Sequence, residues 1–366
     1  MFKKALFPGK YIQGVGTLGE LPDLVQLFGK RGLVLASTSA QRIILHDSGI
    51  DLSSNSLIVE PFGGECCEVE LARLAVIVRD HDIDVVVAMG GGKAIDTAKI
   101  AGDRAGVPVI VIPTIASTDA PCSGCAVLYS ERGVFESVHY QRMSPAAVLV
   151  DTEIIAKAPV RFLVAGMGDA LATWFEAKSC SDTQSKNECG GLGTLAGLNL
   201  ARLCYDTLLD YGSLAIIAAG QQIVTPALER IVEANILLSG IGFESGGLAS
   251  AHAIHNGLTA LEETHAFYHG EKVAFGTLAG LQLSDADPDE TARAYAFCEE
   301  IGLPTTLADV GLADIERNRL MLAAVKACEP TSSIHHEAGI MTPERVLHAM
   351  LAADAIGTER KGRPCC

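Results

Sequence analysis

The sequence has few basic residues and no long apolar run, and each of these absences excludes a class of protein. Lysine and arginine number 28 against 44 aspartates and glutamates, which gives a formal net charge of −16. This charge disfavours nucleic acid or an anionic membrane surface as a partner, because a polyanion would be repelled. No apolar run reaches the length of about 18 residues that a membrane-spanning helix needs. We therefore expect no nucleic-acid partner and no membrane partner.

The sequence also has no recognisable leader and no cysteine framework. The first residues, Met1 to Pro8, are basic, but no apolar core or cleavage site follows them. The 11 cysteines are scattered and odd in number, in a chain too large to need disulfide staples. Cys122-Ser-Gly-Cys125 has redox-motif spacing, yet no second pair accompanies it and it opens no helix. We expect free thiols here and at Cys365-Cys366, and a cytoplasmic location.

The first third of the chain alternates predicted strands with predicted helices. The chain has 366 residues, of which 49% are apolar and 20% charged, enough for two well-cored domains. Predicted strands cover 32–36, 56–59, 85–87, 107–112, 127–129 and 147–150, and predicted helices cover 71–81 and a segment from residue 93. This alternation predicts an α/β domain with a doubly wound parallel sheet, whose ligands bind beyond the carboxyl ends of the strands.

After about Asp151 the pattern changes to long helices rich in alanine and leucine. They cover 161–179, 194–209, 226–238, 290–301 and 343–353, with no strand between them. This change predicts an all-α C-terminal domain. We expect an α/β domain over residues 1–155 and a helical domain over residues 156–366.

Three glycines, Gly90, Gly91 and Gly92, join the strand at 85–87 to the helix that starts at Lys93. Glycines let backbone N–H groups approach a ligand, and the helix adds the positive end of its dipole. A plain strand-to-helix turn is the alternative, but it needs one or two glycines rather than three followed by a lysine. We predict a phosphate site at this loop.

A second glycine motif, Gly14-Val-Gly16-Thr-Leu-Gly19, matches the dinucleotide fingerprint as a string. The run before it is a poor central strand. The acidic residue expected about twenty positions further on is absent, and Ser37 stands there. We therefore prefer the loop at Gly90 as the phosphate site.

Polar side chains follow the predicted strand 107–112, and histidine pairs occur in the helical half. Thr114, Ser117 and Asp119 lie between two prolines, where they could bond a phosphate, a ribose or a substrate hydroxyl, or only their own backbone. The histidines are spaced for a metal site near Asp169, although each could instead be a packing residue. His252 and His255 lie three residues apart, and His265 and His269 lie four apart. Spacing alone leaves open which of the four are ligands.

Long stretches of the chain resemble the polyol-oxidising branch of the iron-containing alcohol dehydrogenase superfamily, which also includes dehydroquinate synthase. The matching segments run almost from end to end: residues 8–14, 61–66, 90–93, 96–99, 113–123, 168–177, 242–248, 252–259 and 269–276. The resemblance implies a dinucleotide-binding α/β domain and a helical domain that binds metal and substrate.

The resemblance also implies site residues. The zinc ligands would be Asp169, His252 and His269, and Asp119 would contact the substrate. The nicotinamide cofactor contacts would be Gly92, Lys93, Thr114, Ser117, Ser123, Cys125 and Tyr129. One carboxylate and two imidazoles suit Zn²⁺ and leave a position open for an alcohol oxygen.

Two positions of this sequence bear on the metal and the cofactor. The iron-dependent branch has a fourth ligand, a histidine, one helical turn after the aspartate, and Thr173 stands there, which favours zinc. Family members have an aspartate where Ser37 stands, and it repels a 2′-phosphate. Ser37 does not, and Arg42 is near in sequence, so NADP is possible beside NAD. Cys125 replaces an apolar neighbour of the cofactor, with smaller consequences.

The implied activity is the oxidation of glycerol, or a similar vicinal diol, to dihydroxyacetone or its analogue. Zinc would lower the pKa of the alcohol hydroxyl, and the carbon would give hydride to the nicotinamide. His255 is a candidate proton carrier, with core packing as the alternative. The resemblance also implies a homo-oligomer. The rival functions are reduction of other small hydroxyketones with NADP, a dehydroquinate-synthase-like lyase, and a non-catalytic relative.

Overall fold

The computed structural model describes residues 2–46, 49 and 56–362, and these fold into two compact units. The unit called here the α/β unit comprises Leu6–Phe162 and Ile217–Gly240. The helical unit comprises Met1–Ala5, Leu163–Ile216 and Ile241–Cys366. The sequence pattern predicts one continuous segment for each domain, whereas each unit draws on separate parts of the chain.

The α/β unit is built on a six-stranded parallel sheet beside a two-stranded hairpin. Its strands are β1 (Tyr11–Gly14), β2 (Gly32–Ala36), β3 (Leu57–Pro61), β4 (Val85–Gly90), β5 (Val109–Pro113), β6 (Cys125–Tyr129), β7 (Phe135–Tyr140) and β8 (Ala147–Asp151). The order in the sheet is β1-β8-β5-β4-β2-β3, and β6 pairs with β7 antiparallel. Strand β3 lies on one side of β2 and strands β4, β5 and β8 follow on the other side, so the strand order reverses between β2 and β4. Open α/β sheets bind ligands at such a reversal.

The core of this unit lies around the central strands. Every residue of β2, β4, β5 and β8 is buried, as expected for parallel strands rich in Val, Ile and Leu. Strand β1 lies at the sheet edge and pairs only with β8 within the described sheet, so the fingerprint string that follows Tyr11 is remote from the reversal. The predicted α/β fold class is confirmed.

Helices follow the strands and make up almost all of the helical unit. They are α1 (Leu21–Phe28), α2 (Glu68–Asp80), α3 (Gly92–Ala105), α4 (Thr152–Lys157), α5 (Val160–Thr183), α6 (Leu195–Gly220), α7 (Pro226–Glu233), α8 (Ser239–Gly246), α9 (Ser250–Leu258), α10 (His269–Gly280), α11 (Pro288–Ile301), α12 (Arg317–Ala327) and α13 (Pro343–Gly362). Short π-helical segments occur at Ala40–Leu45 and Ala234–Leu238. No helix in the described ranges combines the length and the apolarity that crossing a bilayer requires.

Several elements differ from the predicted ones. Strand β7 was not predicted, because its residues are almost all exposed and show no apolar alternation. Helices α9, α10 and α12 were not predicted either; the first two are short and rich in small and polar residues. The predicted helix 194–209 continues to Gly220, because Gly212 does not end it but leaves room for Phe297.

Each cysteine in the described ranges is a free thiol, as predicted. Cys122 ends a 3₁₀ turn and Cys125 begins β6, so the pair spans a turn rather than opening a helix. Cys365 and Cys366 lie outside the described residues.

Candidate metal centre and cofactor site

The three glycines of the predicted phosphate loop lie between β4 and α3. Gly90 ends the strand, Gly91 precedes the helix, and Gly92 is the first helical residue. A methyl group on Gly91 would lie 3.0 Å from Cδ1 of Ile115, whereas one on Gly92 would find no heavy atom nearer than Thr118 Oγ1 at 3.9 Å. Gly92 therefore borders open space at a helix N-terminus, a position where backbone N–H groups can bind an anion such as a phosphate.

Ser37 follows β2 directly beside this loop. A methyl group on Gly90 would lie 3.2 Å from the Ser37 Cβ. The Ser37 Oγ lies 3.2 Å from the Ser39 Oγ and accepts a hydrogen bond from the Ala40 N–H at 3.3 Å. The side chain thus lies at the reversal of the sheet, next to the predicted phosphate site.

The other predicted cofactor residues lie in the loop after β5 or around β6. The Thr114 N–H donates to the Gly90 carbonyl at 3.0 Å, which ties this loop to the glycines. Thr114 and Ser123 are buried, while Ser117, Cys125 and Tyr129 are partly exposed. The fold therefore brings Ser37, the glycines and Thr114 to neighbouring strand ends.

Lys93 has a partner that sequence reasoning missed. Its Nζ lies 2.6 Å from Glu65 Oε2 and 5.3 Å from the centre of the Tyr129 ring. The half-exposed ammonium is thus held over the ring by a carboxylate, a partner that a phosphate group can replace.

Lys99 supports the same region from within the core. Its side chain is fully buried, and its Nζ donates to the carbonyl oxygens of Ala120 at 2.5 Å and Cys125 at 2.8 Å. It also lies 3.2 Å from the Ser123 Oγ. Lys99 therefore fastens the segment that presents two predicted cofactor residues. A lysine in residues 94–102, a run that is small and apolar apart from Asp96 and Thr97, was the available signal.

Asp119 is buried in the α/β unit. Its Oδ2 accepts a hydrogen bond from the Ser239 Oγ at 2.9 Å. The Asn235 side chain donates to the Ala116 carbonyl at 3.0 Å in the same loop. Residues 217–240 therefore hold the loop that carries Asp119, an arrangement that the sequence did not reveal.

Asp169, His252 and His269 form a candidate metal centre within the helical unit. Their ligand atoms all lie within 4.8 Å of one another. The Nε2 atoms of His252 and His269 lie 3.3 Å and 3.1 Å from Asp169 Oδ1. A buried carboxylate facing two imidazole nitrogens is a donor set that fits a divalent zinc ion. These are the three residues that the family resemblance implied.

Close helix packing brings these side chains together. A methyl group on Gly168 or Gly270 would overlap backbone of the other helix: the Gly270 carbonyl in the first case and the Ala165 carbonyl in the second. Helices α5 and α10 therefore touch backbone to backbone beside Asp169 and His269. No larger residue would allow the ligands to approach in this way.

The two histidines differ in the group that their second nitrogen contacts. His252 Nδ1 lies 2.6 Å from Glu176 Oε2, whereas His269 Nδ1 lies 3.0 Å from His255 Nε2. His255 Nδ1 in turn lies 3.0 Å from the Asn256 amide oxygen. In a neutral His255 this bond places the proton on Nδ1, so Nε2 accepts from His269. His255 supports a ligand in this geometry.

The remaining histidine of the predicted pairs takes no part. His265 is exposed, and its Nε2 lies 2.9 Å from the Thr259 carbonyl. The sequence spacing left four histidines open, and the fold brings His252 and His269 to Asp169.

The charges of the site shift its pKa values in opposite directions. Burial would raise the pKa of Asp169, but the His269 charge and the imidazole hydrogen bonds hold it well below its usual range. Burial would lower the pKa of His252, but Glu176 and Asp169 raise it well above its ordinary value. Burial and the neighbouring His269 lower the pKa of His255, which is therefore neutral. Without metal, His252 holds a proton that a metal ion would displace.

The chain is similar to known proteins over nearly its whole length. Residues 8–152 match the family model for iron-containing alcohol dehydrogenase. The chain is 50% identical over 362 residues to a glycerol dehydrogenase of Thermotoga maritima, covering 99% of each. It is 42% identical over 363 residues to a glycolaldehyde reductase of Halobacterium salinarum, covering 97% of this chain and 98% of the relative.

The solved structures agree with the sequence comparisons. A probable glycerol dehydrogenase from Sinorhizobium meliloti matches with a TM-score of 0.93 at 44% identity, covering 98% of this chain and 99% of the other. Fold, ligand cluster and near-full-length identity thus point the same way. The chain belongs to the iron-containing alcohol dehydrogenase family and is an enzyme of the alcohol dehydrogenase class.

Proposed function

We propose that the protein is a zinc-dependent polyol dehydrogenase that oxidises glycerol, or a similar vicinal diol, with a nicotinamide cofactor as hydride acceptor. The product from glycerol would be dihydroxyacetone. The observation that carries the proposal is the cluster of Asp169, His252 and His269 in a chain 50% identical, over 99% of both lengths, to a glycerol dehydrogenase.

The proposal of zinc follows from the donor set. Two imidazoles and one carboxylate are typical of catalytic zinc sites that keep one position open. The residue one turn after Asp169 on α5 is the buried Thr173, where the iron-dependent branch would have a histidine. A zinc ion held there would supply Lewis acidity toward an alcohol or carbonyl oxygen.

The chain's own residues would bind and orient the reactants. The Gly90–Gly92 loop and Lys93 would hold the cofactor diphosphate through backbone N–H groups and an ammonium. Asp119 would accept a hydrogen bond from a substrate hydroxyl. His255, which faces His269 in a neutral form, would orient that ligand; its role as a proton carrier stays a hypothesis.

We also propose that NAD is used and that NADP is tolerated. Ser37 places a hydroxyl, not a carboxylate, beside Gly90, with the Ser39 hydroxyl 3.2 Å away. Neutral hydroxyls can bond a ribose and do not repel a 2′-phosphate. Arg42, exposed on the following π-helical turn, is a nearby positive charge.

A second candidate is the reduction of a small hydroxyaldehyde or hydroxyketone. It is favoured by the 42% identity to a glycolaldehyde reductase. A dehydroquinate-synthase-like lyase is disfavoured, because a phosphorylated acid needs several exposed cations. Lys272 is buried, and its Nζ lies 3.5 Å from the Thr264 carbonyl.

The experiment is a set of initial rates on zinc-loaded protein. The substrates are glycerol, 1,2-propanediol, dihydroxyacetone and glycolaldehyde, each measured with the NAD and the NADP form of the cofactor. We expect the highest kcat/KM for glycerol or 1,2-propanediol. We also expect a chelator to abolish the activity and added zinc to restore it. A preference for glycolaldehyde would favour the second candidate, and full activity in verified metal-free protein would contradict the zinc proposal.

The homo-oligomer is also a proposal, implied by the family resemblance. Light scattering on the purified protein tests it directly: a mass above the 38.4 kDa of one chain is expected. A monomer at assay concentration would contradict it.

A further inference from the structure

One buried carboxylate, Glu176, both caps helix α9 and contacts a metal ligand. The residue before this helix is Ala249, which has no side chain able to accept from the free N–H groups. Glu176 Oε1 takes that place: it accepts from the Ala249 N–H at 2.8 Å and the His252 N–H at 3.0 Å. The other oxygen, Oε2, lies 2.6 Å from His252 Nδ1.

These contacts determine which nitrogen of His252 is available to a metal. An ionised carboxylate only accepts hydrogen bonds, so the short contact to Nδ1 requires a proton on that nitrogen. In the neutral ring the lone pair is then on Nε2, which faces Asp169 Oδ1 at 3.3 Å. A carboxylate behind a ligating histidine also raises the basicity of the ligating nitrogen.

We propose that Glu176 is a positioning residue of the metal centre, which fixes the Nδ1–H tautomer of His252 and so presents its Nε2 to the metal. The inference rests on the metal centre of the proposed function. It assigns to Glu176 a role in metal affinity that is separate from its role in capping α9.

The placement of Glu176 on α5 supports this role. Asp169 and Glu176 lie seven residues, or two helical turns, apart on the same helix, so both side chains lie on one face. One rigid helix therefore supplies a ligand and the carboxylate that orients a second ligand. His269 has no such anion on its Nδ1, which instead contacts the neutral His255.

Glu337 offers a matched control at the same helix terminus. Its Oε1 accepts from the Ser250 N–H at 3.3 Å and the Ser250 Oγ at 2.5 Å, and its Oε2 accepts from the Ser179 Oγ at 2.9 Å. It is buried like Glu176, but these hydrogen bonds go to Ser250 and Ser179 rather than to His252. A Glu→Gln change at either position removes one buried carboxylate beside α9. Only the change at Glu176 alters the group that contacts His252.

The decisive variant is Glu176→Gln. The amide keeps one accepting oxygen for the backbone N–H groups but offers an NH₂ where Oε2 stood. A donor then faces the Nδ1–H of His252, and relief of that conflict moves the ring proton to Nε2, the ligating nitrogen. The analogous aspartate-to-asparagine change behind a catalytic histidine produces the wrong tautomer in the serine-protease triad.

Zinc affinity is measured on metal-free protein by competition with a chromophoric chelator, without alcohol or cofactor. We expect Glu176→Gln to lose about 10- to 100-fold in affinity, the usual range for such supporting groups. Glu337→Gln should bind zinc as the wild type does. Circular dichroism and the unfolding midpoint of each metal-free variant report whether the α9 cap survives.

Wild-type zinc affinity in Glu176→Gln, or an equal loss in Glu337→Gln, would overturn the proposal. Should Glu176→Gln not fold, ¹⁵N shifts of histidine-labelled, zinc-loaded wild type decide it. A protonated Nδ1 and a zinc-bound Nε2 on His252 are expected, and the reverse would overturn the proposal. A wild type that binds no zinc at all would instead contradict the metal centre of the proposed function.

Discussion

The two units support their candidate sites in opposite ways. In the α/β unit the buried ammonium of Lys99 holds the loop through two backbone carbonyls, and glycines offer backbone N–H groups. In the helical unit the buried carboxylates of Asp169 and Glu176 contact the imidazoles of His252 and His269. One site is made largely of backbone and the other of side chains.

This difference fits the ligand proposed for each unit. A dinucleotide is an anion with many polar atoms, so many weak donors from backbone and hydroxyl groups can share it. A zinc ion is a small cation bound by three or four atoms, so each donor carries a large share of the affinity. Single substitutions should therefore be decisive at the metal centre and graded at the cofactor site.

The largest effect is expected at a metal ligand. His269→Ala removes one of three donors, so zinc affinity and nearly all activity should be lost while the fold remains. Zinc binding is measured as metal content by mass spectrometry, the fold by circular dichroism, and activity by initial rates with glycerol. His265→Ala is the control, because that exposed side chain lies outside the cluster. Full activity in metal-free His269→Ala would show that zinc is not required.

A smaller but still large effect is expected at the buried cation. Lys99→Met leaves the carbonyls of Ala120 and Cys125 without their donor, at a cost of about 1–3 kcal/mol each. The unfolding midpoint should fall, and KM for NAD should rise more than kcat falls, because the cofactor loop loosens. Zinc affinity should not change.

The control for Lys99 is an exposed lysine of the same unit. Lys157 pairs with Glu153 at 2.8 Å on the surface of α4, a kind of contact worth about 0–1 kcal/mol. Lys157→Met should leave midpoint and KM near those of the wild type. An equal fall of the unfolding midpoint in both variants, or a loss of zinc in Lys99→Met, would contradict the role of Lys99 in holding the cofactor loop.

The backbone site was the more predictable of the two from sequence. Three glycines after a β-branched run, followed by Lys93, carry their own local signal. In the structure they lie at the carboxyl end of β4, where the strand order reverses, a position that the sequence did not specify. The metal centre has no local signal of this strength, because Asp169 and His252 are separated by 83 positions. Spacing left four histidines possible, and only family resemblance selected two of them.

The supporting residues were beyond sequence reasoning for a physical reason. Glu176 caps a helix 73 or more residues away, and Lys99 bonds carbonyls that any residue type possesses. Neither contact leaves a periodic pattern in the chain. The sequence does show the seven-residue spacing of Asp169 and Glu176 and a lysine at position 99 in a mostly small and apolar run, but neither feature identifies the group that is contacted.

An intermediate effect is expected at Asp119, which belongs to the backbone-rich site but offers a side chain. Asp119→Ala should retain zinc and change the order of kcat/KM among glycerol, 1,2-propanediol and other diols. The control is Ser239→Ala, which removes the 2.9 Å hydrogen bond to Asp119 and keeps the carboxylate. Loss of zinc in Asp119→Ala would show that this carboxylate belongs to the metal centre instead.

The smallest effect is expected at Ser37, where the change tests one charge among many weak contacts. The Ser37 Oγ accepts from the Ala40 N–H at 3.3 Å, and an aspartate carboxylate can accept the same hydrogen bond. The loop should therefore retain its shape in the variant. The aspartate charge would repel a 2′-phosphate, and every 1.4 kcal/mol of such repulsion is about a tenfold change in affinity. We expect Ser37→Asp to lower kcat/KM for NADP selectively, with NAD equal or improved. The value of kcat/KM is measured with NAD and with NADP, in the wild type and in the variant. A wild type that already rejects NADP by about a thousandfold, or a variant that changes neither ratio, would place discrimination at another residue.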